Sequence, residues 1–108
     1  MLRIIAGRYR GRKLLTAPGD DVRPTSDRVR EAIFNKLTHG LVVKAGAPLT
    51  GVRVADVFAG TGAMGFEALS RGAEHVALIE NNPKALALIG RNARALDLEK
   101  DLSFVLRS

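Results

Sequence analysis

The sequence contains no cysteine. A disulfide framework and a thiolate metal site are both excluded, and the composition fits a reducing compartment such as the cytoplasm. Long apolar runs are missing too. None approaches the roughly 20 residues that a membrane-crossing helix needs. The opening residues are charged and β-prone, which argues against a secretory leader. Histidine occurs only as His39 and His75. The two are isolated, without metal-ligand spacing, so no metal is expected and neither takes a role. Repeats and low-complexity tracts are absent. What is present is a chain of 108 residues, 46% hydrophobic and 26% charged, the size and balance of one folded domain.

Acidic residues are scarce at one end. Residues 1–30 hold eight of the 17 Lys and Arg but three of the 11 Asp and Glu, so nearly all of the +6 net charge sits there. Leu2, Ile4 and Ala6 alternate with Arg3 and Ile5, a strand pattern. Leu14 and Leu15 suggest a returning strand that ends before Pro18, with Gly11 at the turn. Arg8, Arg10, Arg12 and Lys13 crowd the tip of this hairpin, with Tyr9 among them as a stacking ring. Cations clustered around an aromatic suit a phosphate backbone and an unstacked base. A solvated basic arm is the plainer alternative.

Thr25, Ser26 and Asp27 are helix-capping residues. Val29, Ile33 and Leu37 follow at intervals of four and predict an apolar helical face ending near Gly40. Residues 44–51 are a connector broken by proline and glycine. From Val52 the pattern becomes βαβαβ. Val52, Val54, Val57 and Phe58 predict a buried strand, and a glycine loop leads into a helix that stops at Gly72. His75 to Ile79 is a second strand. Asn82 and Pro83 open a helix carrying Leu86, Ile89, Ala93 and Leu96, and Leu102 to Leu106 is a third strand. Strands alternating with helices imply a parallel sheet with right-handed crossovers. The expected organisation is a basic hairpin and helix over 1–40, a connector over 41–51, and a partial Rossmann-like α/β domain over 52–108.

Gly60, Gly62 and Gly65 form G-x-G-x-x-G between a strand and a helix, and Glu80 lies twenty residues after Gly60 at the end of the second strand. This context marks a nucleotide site: glycines admit a ligand close to the backbone, and the acid accepts hydrogen bonds from ribose hydroxyls. Asp56 helps to choose the ligand. A second carboxylate beside the loop suits the ammonium and sulfonium of S-adenosylmethionine better than the pyrophosphate of a nicotinamide dinucleotide. The dinucleotide remains an alternative, as does a role for Asp56 in capping the loop backbone.

The run from Asp56 through Gly65 to Ala73 resembles the cofactor motif of the bacterial 16S rRNA guanine-N2 methyltransferase family (the RsmD family). Arg23-Pro24-Thr25, Asp27 to Glu31 and Phe34-Asn35 resemble that family's N-terminal signature, and Arg3 to Gly7 with Gly11-Arg12 its opening hairpin. The resemblance spans essentially the whole chain. It implies a class I methyltransferase fold and methyl transfer from S-adenosylmethionine to the exocyclic N2 amine of a guanine in 16S rRNA, free or in the assembling small subunit. By position, Asp56, Phe58, Gly60, Thr61 and Gly62 would hold the methionine part of the cofactor, Glu80 its ribose, and Asn81 would lie beside the adenosine. Thr25, Asp27 and Arg30 would belong to a segment closing over the methionine end. For these three, helix capping and a surface ion pair are the competing reading.

One part of the family pattern is missing. Related amino methyltransferases orient the weakly nucleophilic amine with an Asn/Asp-Pro-Pro-aromatic loop after the fourth strand. The four prolines here, Pro18, Pro24, Pro48 and Pro83, are all isolated. The expectation is a fold truncated after its third strand, inactive alone, with an open sheet edge that invites self-association. A non-catalytic RNA-binding module and a fragment of a nicotinamide-dependent oxidoreductase are the other functions compatible with the residues.

Overall fold

The computed structural model describes residues 2–16, 27–40, 49–57 and 59–106. The elements in chain order are β1 (Leu2–Arg3), β2 (Lys13–Leu14), α1 (Asp27–Gly40), β3 (Arg53–Val57), α2 (Ala63–Ser70), β4 (His75–Glu80), α3 (Pro83–Leu96) and β5 (Leu102–Leu106), with a short 3-10 turn at Glu99–Asp101. β1 and β2 pair antiparallel, Leu2 opposite Leu14 and Arg3 opposite Lys13. The other sheet is parallel, in the order β3-β4-β5, with Val57 opposite Ile79 and Glu80 opposite Leu106. The fold is the expected α/β, Rossmann-like arrangement preceded by a hairpin and a helix.

Local chemistry accounts for the element boundaries. Gly62 caps α2 in the left-handed conformation, with φ 79°. The Asn82 side chain accepts the Lys84 N–H, and Pro83 occupies the first turn of α3, where its missing N–H costs nothing. Asp97 ends α3 in a left-handed conformation. Val76 and Leu78 of β4 are buried, alternating with partly exposed neighbours. Together with Phe66, Ile89, Ala93 and Leu96 they form the centre of the core, and Leu2, Ile4, Leu14 and Phe34 join the same cluster. The hairpin and α1 therefore share one core with the sheet.

Three sequence expectations are corrected. The apolar stripe of α1 faces outward: Val29, Ile33 and Leu37 are 49%, 39% and 38% exposed, whereas Arg30 and Phe34 are buried. An ion-pair network holds Arg30 inside, and this fixes the rotation of the helix against its hydrophobic spacing. The strand at Val52–Val57 is not buried either, because Val52 is exposed and Val57 is 55% exposed. Right-handed crossovers in one direction put α2 and α3 on the same face of the sheet. The opposite face, with Ala55, Val57, Ala77 and Ile79, is exposed or partly exposed, and β3 has no neighbour on its outer edge among the described residues. Finally, β2 ends at Leu14, and Leu15 is exposed. Its backbone is held by Asn92 of α3, which accepts the Leu15 N–H at 2.7 Å and donates to its carbonyl at 3.1 Å.

Among the described residues, no helix is long and apolar enough to cross a membrane, and no His, Asp and Glu group could hold a metal ion.

Candidate cofactor and nucleic-acid site

The glycine loop sits at the carboxyl ends of the parallel strands, where open α/β sheets bind ligands. The Ala59 N–H donates to the Ile79 carbonyl at 3.0 Å, which ties the start of the loop to β4. The Gly62 N–H donates to the Ala59 carbonyl at 2.8 Å, closing the turn, and the Phe66 N–H donates back to Gly62 to start α2. Thr61 is half-buried, and its hydroxyl accepts the Ala63 N–H at 3.3 Å.

Two carboxylates flank this loop. Glu80, at the end of β4, accepts the Gly60 N–H at 2.8 Å through Oε1 and the Asn82 N–H at 3.1 Å through Oε2. Each oxygen keeps a further lone pair for an incoming hydroxyl. Asp56 of β3 accepts the Gly65 N–H at 3.1 Å. Burial pushes its carboxyl from 3.8 up to about 6; the Gly65 N–H opposes this, and the negative Glu80 adds to it. Asp56 thus bonds the backbone at the start of α2, and among the described residues no ion pair is formed by its carboxyl. Gly60, Asn81 and Asn82 are exposed. Exposed backbone at the strand ends and two acids fit the donor groups of a ribose and an ammonium.

The N-terminal residues divide. Thr25 and Phe58 lie outside the described residues. Asp27 and Arg30 form the expected ion pair at 2.9 Å, with the Asp27 side chain partly exposed and the Arg30 side chain buried. Arg30 is fully buried, donates to the Arg3 carbonyl at 2.6 Å and approaches Glu67 at 3.6 Å. Arg8, Arg10, Arg12 and Lys13 are exposed, as the charge pattern implied. Arg12 also reaches the Ala95 carbonyl of α3 at 3.2 Å. Tyr9, expected as a stacking ring, is half-buried against the core, and the Arg8 guanidinium lies 5.3 Å from its centroid.

The residue that sequence reasoning passed over is Glu67. It is fully buried on α2, accepts the Ile5 and Ala6 N–H groups at 2.9 and 3.1 Å, and pairs with Arg71 at 2.9 Å. Arg71 in turn covers the Phe34 ring at 4.8 Å. A lone acid within Ala63-Met64-Gly65-Phe66-Glu67-Ala68-Leu69 was the available signal, because an acid on an apolar helix must be paired once buried.

A parallel sheet with a glycine loop and acids at its strand ends is a Rossmann-like arrangement, and its likeness to solved methyltransferase structures makes it a class I methyltransferase fold. The chain belongs to the RsmD family, described as Conserved hypothetical protein 95, whose match covers residues 2–108. It is 39% identical over 99 residues, 92% of the chain, to a putative rRNA methyltransferase, YlbH, of Bacillus subtilis, and covers 50% of that relative. It is 47% identical over 79 residues to ribosomal RNA small subunit methyltransferase D of Escherichia coli, with 73% of the chain and 36% of the relative covered. A solved structure described as the putative methyltransferase yhhF from Escherichia coli matches with a TM-score of 0.81 and 37% identity, covering 99% of this chain and 53% of that one. The chain therefore spans about half, or less, of the length of these relatives.

Proposed function

We propose that these residues bind S-adenosylmethionine between β3 and α2 and present a basic hairpin to small-subunit ribosomal RNA, as the cofactor-binding part of a guanine-N2 methyltransferase. The observation that carries the reading is the pair of carboxylates, Asp56 and Glu80, on either side of the loop. Glu80 suits the ribose of either ligand, but a dinucleotide would bring its pyrophosphate to the start of α2 beside Asp56, whereas the ammonium and sulfonium of S-adenosylmethionine are matched by that acid. Asp56, Phe58, Gly60, Thr61 and Gly62 would hold the methionine end, Glu80 the ribose hydroxyls, and Asn81 the adenosine side. Thr25, Asp27 and Arg30 would act on the methionine end indirectly, through the placement of α1.

The RNA half of the reading rests on the exposed Arg8, Arg10, Arg12 and Lys13 and on the rRNA methyltransferase names of the relatives. An rRNA substrate, free or in an assembling subunit, would place the protein in the cytoplasm. The sequence has no Pro-Pro-aromatic loop to orient a guanine amine, so the 108 residues alone would bind cofactor without transferring a methyl group. The outer edge of β3, which has no strand beside it among the described residues, would support self-association.

Calorimetric titration with S-adenosylhomocysteine and with NAD tests the cofactor. Binding of the first alone supports the proposal, and binding of NAD alone would sink it. Methyl transfer to 16S rRNA by the purified chain would overturn the expected inactivity. Sedimentation at tens of micromolar tests the edge, where a monodisperse monomer counts against association.

A further inference from the structure

Two polar residues of α2 that no cofactor role absorbs, Glu67 and Ser70, are both buried on the face turned to the hairpin. Glu67 accepts the N–H groups of Ile5 and Ala6. The Ser70 hydroxyl accepts the Tyr9 N–H at 2.9 Å and donates to the Ala6 carbonyl at 2.7 Å, and the Ser70 carbonyl accepts the Arg8 N–H at 2.7 Å. Five hydrogen bonds thus fasten residues 5–9 to one helix, while the hairpin's own strands are only two residues each. Gly7 makes the approach possible. Its φ is +88°, and a Cβ there would lie 2.0 Å from the Ser70 carbonyl oxygen. Short strands alone would leave the tip loosely oriented. Backbone bonds such as Gly11 N–H to the Ile4 carbonyl and Arg12 N–H to the Tyr9 carbonyl shape the arginine-bearing turn, and the helix that the glycine loop opens orients it.

We propose that Glu67 and Ser70 are positioning residues for the nucleic-acid contact: they lock the cationic turn of the hairpin to α2, so that the RNA-binding cations and the cofactor loop move as one body. The inference rests on the reading that the hairpin tip contacts RNA. It adds what that reading lacks, a physical link between the tip and the loop. Neither side chain touches RNA or cofactor in this scheme. Both act through the backbone of Ile5, Ala6 and Tyr9.

The test compares Ser70→Ala and Glu67→Gln with the unaltered 108-residue chain, using purified 16S rRNA and S-adenosylhomocysteine as probes. Amide exchange at Ile5, Ala6 and Tyr9 should accelerate. RNA affinity at fixed salt should fall roughly threefold to tenfold, as expected for one or two lost hydrogen bonds. The dependence of RNA binding on salt should keep its slope, because the cations remain. In Ser70→Ala, S-adenosylhomocysteine affinity should stay within about twofold of the unaltered chain, which a general loss of folding would not allow. Unchanged RNA affinity in Ser70→Ala, or a parallel loss of both ligands in both variants, overturns the positioning role. An Arg8→Ala, Arg10→Ala control separates the two ideas. If removing these cations leaves RNA binding intact, the hairpin reading itself fails; if it weakens binding while Ser70→Ala does not, only the positioning role fails.

Discussion

The carboxylate of Glu80 accepts the backbone N–H of Gly60 at 2.8 Å, joining the end of β4 to the loop after β3. One side chain therefore shapes the loop and faces the position proposed for the ribose. Glu80→Ala should lower S-adenosylhomocysteine affinity by about tenfold to a hundredfold, the worth of one charge-assisted hydrogen bond. Calorimetry with an analogue lacking the ribose hydroxyls checks the assignment. The unaltered chain should discriminate against it, and the alanine variant should not. Equal discrimination by both would move the ribose elsewhere.

Asp56 gives the site a pH dependence whose sign can be worked out. Its carboxyl is pushed from 3.8 up to about 6, mainly by burial. A raised carboxylate pKa means that the folded protein holds this proton more tightly than the unfolded chain. The resulting stabilisation of the ligand-free protein is complete below about 3.8 and is lost as pH rises through about 6. Ligand binding should run the opposite way, because an ammonium favours the ionised acid. Affinity for S-adenosylhomocysteine should fall by up to about tenfold per pH unit below pH 6. Asp56→Asn should remove that slope. A titration that is flat from about pH 5 to about pH 7 would detach Asp56 from the ligand.

What was readable in the sequence was local. The glycine loop, the Asn82-Pro83 cap and the spacing of Ile89, Ala93 and Leu96 are signals carried by neighbouring residues, and each element appears where they put it. α1 shows the limit of such signals. Val29, Ile33 and Leu37 have the spacing of a buried stripe, yet the helix is turned by Arg30, whose partners include the Arg3 carbonyl and Glu67. No periodicity encodes a partner 37 positions away. The same holds for Asn92, which holds Leu15 across 77 positions. The strand from Val52 to Val57 was misjudged for a different reason. An apolar run reads as buried on both faces, but whether the second face is covered depends on elements outside the run.

The buried ion network should dominate stability. Glu67→Ala would leave Arg30 and Arg71 close together without their shared acid. Breaking a buried pair from one side costs about 3–5 kcal/mol. Urea unfolding should show this loss, with Arg30→Ala destabilising less because it leaves the Glu67–Arg71 pair at 2.9 Å intact. A cost for Glu67→Ala below about 1 kcal/mol would mean that solvent reaches the network.

Gly62 is constrained both by its backbone and by its neighbours. Its φ of +79° is strained for any side chain, and a Cβ would sit 3.0 Å from Ile89 Cγ1 and 3.1 Å from Phe66 Cε2. Both neighbours are fully buried, so neither has free space to move into. Gly62→Ala should therefore destabilise the fold by about 1–3 kcal/mol, combining backbone strain with overpacking. Gly11→Ala is the matched control: its φ is +84°, with nothing within 4 Å of the added carbon, so only the backbone term applies. Thermal unfolding of the two variants separates the terms. A larger loss at Gly62 locates the constraint in the packing of Ile89 and Phe66 beneath the loop. Equal losses would show that these side chains yield, and the loop's shape would then rest on backbone conformation alone.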